Sequence, residues 1–419
     1  MFYESESGNL KFSPSDLTVF LETEFASWMD RWHIEHWKGH QKVTSEDGLP
    51  IGLTLPGSEE CAPNEKDEQL ELLAAKGLEH EEAFLERLRA DGHEIAEFDV
   101  NSNGVVDTLE AMRQQKDIIF QAPLQHEIFA GIADFLALKP GASLLGDHHY
   151  EVWDTKLARS TKASFVVQLC AYAEMLEHLQ GRRPEGFEVV LGNNDHVRFL
   201  TNRFIYYFRE LKRSFLEFHD DFDPHIFPHP GMSKSFGRWS TFAKQVLEES
   251  DHLSGVANVT RSQIRKLEEA GITTLTELST STLDYVPKLP QPTLQRLQAQ
   301  ARLQCESKGK DRPLYNIQAA DEMNPRRGLA LLPPSSEMDV YFDIEGFPLR
   351  DDGLEYLLGA VHIVNGDPQF VDWWAHDDAQ EKKAFEGFVD WAHARWQSDP
   401  TMHIYHYAAY EVRAMRELM

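Results

Sequence analysis

Apolar residues recur along this chain in two rhythms, one of helical period and one of strand period, and their order sketches a fold. Phe12-Ser13-Pro14-Ser15-Asp16-Leu17 reads as a cap leading into a helix that continues to about Trp32, with aromatics on one face. Residues 48–64 are rich in Gly, Pro and Ser and read as a loop. Leu70, Leu73, Leu78, Phe84, Leu85 and Leu88 then repeat at helical spacing, predicting a long helix over residues 65–89. Strand-like runs follow at residues 94–100, 117–122, 127–138 and 149–157. An amphipathic helix is expected over 163–179, a strand over 187–191, a further strand-like run over 197–201 and a helix over 205–219. Helix, several strands, helix, strand is the order of an α/β core built on a mixed sheet.

The character changes near His252. Residues 253–278 and 287–303 carry short helical patterns separated by Gly, Thr and Pro, and residues 305–334 are a polar stretch containing Pro and Arg. A third region opens at Met338 with the apolar run Val340-Tyr341-Phe342-Asp343-Ile344-Glu345-Gly346. Strand-like runs at 356–362 and 369–374, a helix near 380–396 and a strand at 402–405 complete it. The expected division is therefore 1–245, 250–304, a linker over 305–336, and 337–419. About 80 residues is short for such an α/β pattern, so the last domain is expected to be incomplete here.

Composition narrows the function. A chain of 419 residues with 42% hydrophobic and 11% aromatic residues can bury more than one core. No run of 18 apolar residues and no cationic leader are present, so a membrane or secreted role is not expected and a cytoplasmic place is. Cys61, Cys170 and Cys305 are too scattered for a disulfide framework or a CxxC metal pair, which agrees with a reducing compartment. Lys+Arg 41 against Asp+Glu 69 leaves a net charge of −28, the wrong sign for a protein that simply coats nucleic acid. The charge is uneven, however: residues 59–86 are acidic, while 196–213 and 261–266 are locally basic and offer a basic groove.

The candidate chemistry sits at two strand ends. Gly131-Ile132-Ala133-Asp134 ends one apolar run and Tyr150-Glu151-Val152-Trp153-Asp154-Thr155-Lys156 ends the next. Residues two apart on a strand share a face, so Asp154 and Lys156 project together, and Asp134 joins them if the strands pair. Two carboxylates beside an ammonium suit Mg²⁺ or Mn²⁺ and a water over a phosphodiester. Gln168 and Tyr172 lie four apart on one face of the next helix, and His80 stands on the long upstream helix. Glu81 and Glu82 compete with His80 for any acidic role but read as solvated, and Glu151 reads as facing the opposite side of its strand. Taken singly, Asp134 and Lys156 are ordinary surface charges, His80 a helix-surface histidine and Tyr172 a core residue. The set carries the reading.

That set resembles the RecB-like branch of the PD-(D/E)XK nucleases over roughly residues 10–220. The resemblance implies a restriction-endonuclease-like core. It makes His80, Asp134 and Asp154 metal ligands with the backbone carbonyl of Thr155, Lys156 the catalytic lysine, and Gln168 and Tyr172 the QxxxY helix pair. Many such nucleases carry a cysteine-held iron–sulfur cluster after the core. Here the equivalent stretch, residues 228–239, has no cysteine, and no cluster is expected. The histidines at 33, 36 and 40, and at 225 and 229, lack Cys or paired carboxylates at ligand spacing and read as structural.

Leu253-Ser254-Gly255-Val256, followed by residues 267–275, resembles a helix-hairpin-helix element, with Arg261, Arg265 and Lys266 as DNA contacts. A spacer or protein-binding role for the same helices stays open. Asp343 and Glu345 share a strand face and Glu411 follows a second strand. These three resemble the opening acids of a DEDD-type 3′–5′ exonuclease on an RNase H-like fold, which would form a second metal site. Such a fusion resembles the N-terminal part of proteins that continue into a superfamily 1 helicase. No GxxxxGKS/T motif occurs here, so a helicase would lie beyond Met419 or be a partner in trans. The expectation is a metal-dependent DNA nuclease of repair or recombination, acting on single strands or duplex ends. A non-catalytic DNA-binding subunit, or an exonuclease working through the C-terminal domain, are the alternatives.

Overall fold

The computed structural model describes residues 1–4, 8–36, 63–64, 68–98, 104–224, 226, 228–317, 328–347, 350 and 353–419. Cys61, His40, His225 and nearly all of the expected 48–64 loop lie outside these residues. The chain divides into two compact units, residues 1–315 and 316–419.

In the first unit, β1 (Phe2–Tyr3) and β2 (Leu10–Lys11) pair ahead of α1 (Pro14–Glu22) and α2 (Glu24–His36). The single helix expected over 14–32 is thus two, because Thr23 is extended (φ −163°, ψ 119°). The Asp16 carboxylate accepts the Ser13 amide at 2.7 Å and the terminal ammonium of Met1 at 2.6 Å, which anchors the start of α1. The long helix is α3 (Glu68–Ala90). Its apolar stripe is buried only at Phe84, Leu85 and Leu88, while Leu70, Leu73 and Leu78 are exposed. Helical spacing marks a face, but only the second half of this one meets the sheet.

Then come β3 (Ile95–Glu97), α4 (Val105–Arg113), β4 (Ile118–His126), β5 (Phe129–Ser143), β6 (Gly146–Lys156), α5 (Ala163–Gln180), β7 (Gly186–Leu191), β8 (His196–Leu200), α6 (Ile205–Asp220) and α7 (Ser240–Glu249). The helices α4 and α7 are additions to the sequence pattern. The six strands form one sheet in the order β3-β4-β5-β6-β7-β8. The pairs β3/β4 and β6/β7 are parallel and β4/β5, β5/β6 and β7/β8 antiparallel, the mixed α/β sheet that the pattern predicts. One face packs Leu136, Tyr150 and Val152 against Leu169, Ala173 and Leu176 of α5. The other packs Ile118, Phe135 and Val190 against Phe84, Leu85 and Leu88 of α3.

The middle of β4 and β5 departs from strict alternation. Ile119 and Ala122 are three apart yet bury in the same core, and so do Ala133 and Leu136. Period-two geometry would put each pair on opposite faces. The break falls at Gln121, which takes the left-handed φ of 51°. Phe120 pairs with Phe135 and Ala122 with Ala133, so Gln121 lies across from Asp134.

His219 on α6 is buried against Phe12, Phe215 and Phe218, with its Nε2 3.0 Å from the Ser27 hydroxyl. Burial, helped by Arg31 and the chain terminus, pushes its pKa down to about 3. The unfolded chain therefore takes up a proton that the folded chain refuses, and stability contributed here is complete above about pH 6.5 and lost as pH falls toward 3. A His219→Gln variant should show a stability deficit at pH 7 that shrinks on acidification, by up to about 1.4 kcal/mol per pH unit. Urea midpoints at several pH values check this, and a deficit that stays constant would refute it.

A short helical module closes the unit: a turn at Leu253–Gly255, α8 (Arg261–Glu269), α9 (Leu275–Thr280) and α10 (Gln291–Ser307). It has its own core of Leu253, Ile264, Leu267, Leu278, Leu294 and Leu297, among others. Thr260 and Thr274 cap α8 and α9 as capping boxes with Gln263 and Glu277.

The second unit contains β9 (Val340–Gly346), β10 (Glu355–Val364), β11 (Asp367–Trp374), α11 (Asp378–Ser398), β12 (Ile404–Tyr405) and α12 (Tyr410–Leu418). The sheet order is β11-β10-β9-β12, an antiparallel meander to which β12 adds in parallel beside β9 after the α11 crossover. Phe388 stacks on Phe342 with ring centres 4.0 Å apart and fastens α11 to one face.

Candidate active site

Asp134 and Asp154 enter the site from adjacent antiparallel strands. Phe135 pairs with Trp153 and Leu136 with Val152, so continuing that register sets Asp134 opposite Asp154. The Thr155 amide donates to Asp134 Oδ2 at 3.3 Å, which ties the two strand ends together through the carboxylate. Asp154 is 1% exposed, and neither of its oxygens accepts a hydrogen bond of normal geometry. The Lys156 ammonium lies 2.7 Å from Asp154 Oδ2 as an ion pair. Burial, then the neighbouring charge of Asp134, holds the Asp154 pKa well above the usual carboxylate range. Burial pushes the Lys156 pKa down, but the Asp154 and Asp134 carboxylates outweigh it and the net shift is upward. The strand spacing and pairing thus bring these three side chains together.

Helix α5 backs the trio. Tyr172 is buried and donates to the Ile132 carbonyl at 2.7 Å, fixing the strand two residues before Asp134. Gln168, one turn earlier and half-buried, hydrogen-bonds Tyr172. Gly131 is required where Tyr172 and α1 converge, since a Cβ there would stand 2.9 Å from Pro14 Cδ and 3.0 Å from the Tyr172 hydroxyl. Phe165, in the first turn of α5, lies beneath the Lys156 ammonium at 5.7 Å from its ring centre.

The contribution of α3 differs from the expectation. His80 is half-buried, but His80, Asp134 and Asp154 do not gather: no group of three or more His, Cys, Asp or Glu side chains among the described residues could hold a metal as they stand. The next residue, Glu81, is the one that faces the site. It was expected to be solvated, yet it is half-buried and accepts a hydrogen bond from the Gln121 amide. Burial, then the Asp134 charge, raises its pKa to about 6. A signal for Glu81 exists in the sequence. It precedes Phe84, Leu85 and Leu88 by three, four and seven residues and so lies on the buried stripe of α3. Gln121 has no such signal, because its role depends on an unusual backbone angle.

Glu151 faces away from the trio, as expected. It is buried and grips Arg198 through both oxygens, at 2.7 and 2.9 Å, while accepting the Gly186 amide at 2.9 Å. The basic stretch 196–213 is not a free cationic groove. Arg198 is paired with Glu151 and Glu188, Arg209 with Glu174 and Glu177, Lys212 with Glu174 and Glu127, and Arg213 with Glu210 and Glu217. Charge counted along a sequence cannot reveal partners supplied by other elements. In the helical module, Arg261 and Arg265 are exposed and Lys266 half-buried on α8. The hairpin before them is self-satisfied: Gln304 accepts the Ala257 amide at 2.9 Å and donates to the Gly255 carbonyl at 2.7 Å.

In the second unit Asp343 and Glu345 are exposed on one face of β9, as the two-residue spacing requires. Glu411 is buried in the first turn of α12, its carboxylate 3.3 Å from the His406 ring nitrogen. Tyr410 donates to Glu355 across from Gly346, which draws the start of α12 against the end of β9. These three acids also form no ready-made ion cage.

Residues 340–419 match a family model of the RNase H superfamily. A nuclease-like domain thus stands at the C-terminal end, with the antiparallel-then-parallel sheet described above. The match covers that region alone, and no curated protein matches the chain. No helix among the described residues is long and apolar enough to cross a membrane.

Asp134 and Asp154 suit a hard divalent cation. Such ions take oxygen ligands, often only one or two carboxylates with water and phosphate completing the shell. The buried Asp154 carboxylate shares one ammonium, Lys156, with Asp134, and such an ion would complete the charge balance of the two acids.

Proposed function

We propose that this chain is a Mg²⁺- or Mn²⁺-dependent nuclease that hydrolyses phosphodiester bonds in DNA, with Asp134, Asp154 and Lys156 as its reacting groups. The observation that carries the reading is the pairing of two carboxylates across adjacent strands with an ammonium 2.7 Å from one of them. Asp134, Asp154 and the carbonyl of Thr155 are the groups that would hold the ion. A divalent cation there would shield charge on the phosphate and lower the pKa of water. Lys156 is placed to orient the attacking water and to balance negative charge on the phosphoryl oxygens. Thr155 keeps Asp134 in position through its amide, and Tyr172 with Gln168 steadies the strand behind it.

Exposed Arg261 and Arg265 are a surface for DNA phosphates. The role we assign is DNA repair or recombination in the cytoplasm, on single strands or duplex ends and as an exonuclease, with a helicase as partner. The match to the RNase H superfamily favours a second reading, in which Asp343, Glu345 and Glu411 do the cutting. The two readings separate in one assay of end-labelled single- and double-stranded DNA with Mg²⁺ or Mn²⁺. Loss of cleavage in Asp154→Asn but not in Asp343→Asn is the expected result. The reverse moves the chemistry to the C-terminal unit. Binding without cleavage by the wild type, with either ion, leaves the non-catalytic subunit in place of both.

A further inference from the structure

We infer that the loop between β6 and α5 is a phosphate grip: Arg159 and Lys162 bind backbone phosphates of the DNA strand beside the scissile one, without reading its bases. This inference rests on the nuclease reading of the Asp134–Asp154 site and adds a substrate contact that follows Lys156 in the chain.

The geometry of the loop is the first support. Its base is fixed just beyond β7, where the Gly192 amide donates to the Ala158 carbonyl at 3.2 Å. A Cβ at Gly192 would stand 2.4 Å from the Leu157 carbonyl oxygen, so the close approach needs glycine. Past that base, Arg159 and Lys162 are exposed. The Lys162 ammonium lies 6.0 Å from the centre of the Phe165 ring, which also carries the Lys156 ammonium at 5.7 Å. Phe165 packs against the core between the sheet and α5, so one anchored ring holds both ammonium groups. Lys162 is thereby tied to the place where Lys156 meets Asp154.

The second support is the pairing of the cations. Arg198, Arg209, Lys212 and Arg213 are each tied to carboxylates of the same unit. Arg159 and Lys162 form no ion pair with a carboxylate among the described residues. An exposed cation of that kind can take a phosphate without first breaking an existing ion pair. The chain as a whole carries a net charge of −28, a field that repels DNA, so its grip has to come from cations close to the reacting acids. Contacts to phosphate fix the position of a strand and carry no sequence information.

The test uses the full chain and two labelled single strands, an oligothymidylate and an oligoadenylate. Fluorescence anisotropy without metal gives affinity across a range of salt, and cleavage with Mg²⁺ or Mn²⁺ gives kcat and KM. Arg159→Ala and Lys162→Ala should each reduce the slope of log affinity against log salt by about 0.7, equally on both strands. Each should raise KM with kcat little changed. Lys162→Arg, which keeps the charge, should keep the slope. Arg209→Ala removes a cation already held by Glu174 and Glu177 and should leave slope and KM as in the wild type. Slopes and KM values unchanged in Arg159→Ala and Lys162→Ala, in a chain whose cleavage Asp154→Asn abolishes, overturn the inference and leave the nuclease reading standing. A wild type that cuts with neither ion overturns that reading, and the slopes alone then decide whether the loop grips DNA.

Discussion

Lys156→Ala is expected to lower metal-dependent DNA cleavage by about 100- to 10,000-fold while leaving Mn²⁺ binding intact or tighter. The two readouts move apart for an electrostatic reason. In the folded chain the ammonium is the near cation for Asp154 and also feels Asp134 and Glu81. Removing it makes the place more negative, which favours a divalent ion. It also removes the group to which the proposed mechanism gives the orienting of water and the balancing of charge on the phosphate. Cation affinity should moreover rise with pH more steeply than in the wild type. The Asp154 pKa is already raised by burial and by Asp134, and without the lysine it loses the charge that restrains that rise. End-labelled cleavage and Mn²⁺ titration at two pH values check the pair. A variant that still cuts at the wild-type rate would remove Lys156 from the chemistry. A variant that loses both cleavage and Mn²⁺ binding would make it a structural partner of Asp154 only.

Phe135→Ala is expected to cost about 3–5 kcal/mol of stability, the largest loss anticipated for a single side chain near the site. Phe135 is fully buried, one residue beyond Asp134, with Phe84 of α3 and Phe120 of β4 each at 5.1 Å between ring centres. It is the layer through which α3 rests on the sheet, so its removal should also loosen Glu81. The measurement is a urea midpoint together with hydrogen exchange on α3. A loss near 1 kcal/mol with unchanged exchange on α3 would show that the helix is held elsewhere. Phe135→Leu, which keeps most of the volume, should recover the larger part of the loss.

Residue patterns lead to much of this site because its acids obey short-range rules. Asp154 and Lys156 share a strand face by spacing alone, and pairing of consecutive apolar runs brings Asp134 beside them. Gln168 and Tyr172 meet on α5 for the same kind of reason, four residues apart on a helix. Asp343 and Glu345 repeat the strand rule in the second unit. What these cases have in common is a period set by backbone geometry, so the sequence already contains the contact.

The departures belong to relations between elements. Leu70, Leu73 and Leu78 have the spacing of a buried stripe and are exposed, because the sheet reaches only the later turns of α3. Arg198, Arg209, Lys212 and Arg213 form a basic stretch on paper, but carboxylates from β6, β7, α5 and α6 itself neutralise them in space. His80 stands on the right helix, but its neighbour Glu81 turns toward Asp134 once Phe84, Leu85 and Leu88 have set the rotation of α3.

The sequence by itself determined the mixed α/β character, the strands that carry Asp134, Asp154 and Lys156, and the acids of β9, since periods of 2 and 3.6 residues follow from local sterics. Only the tertiary structure decided which residue of α3 meets those acids, which cations are already paired, and that β4 turns left-handed at Gln121. Those outcomes come from packing between segments distant in the chain, where each side chain's partner is chosen by the whole core rather than by its neighbours in sequence.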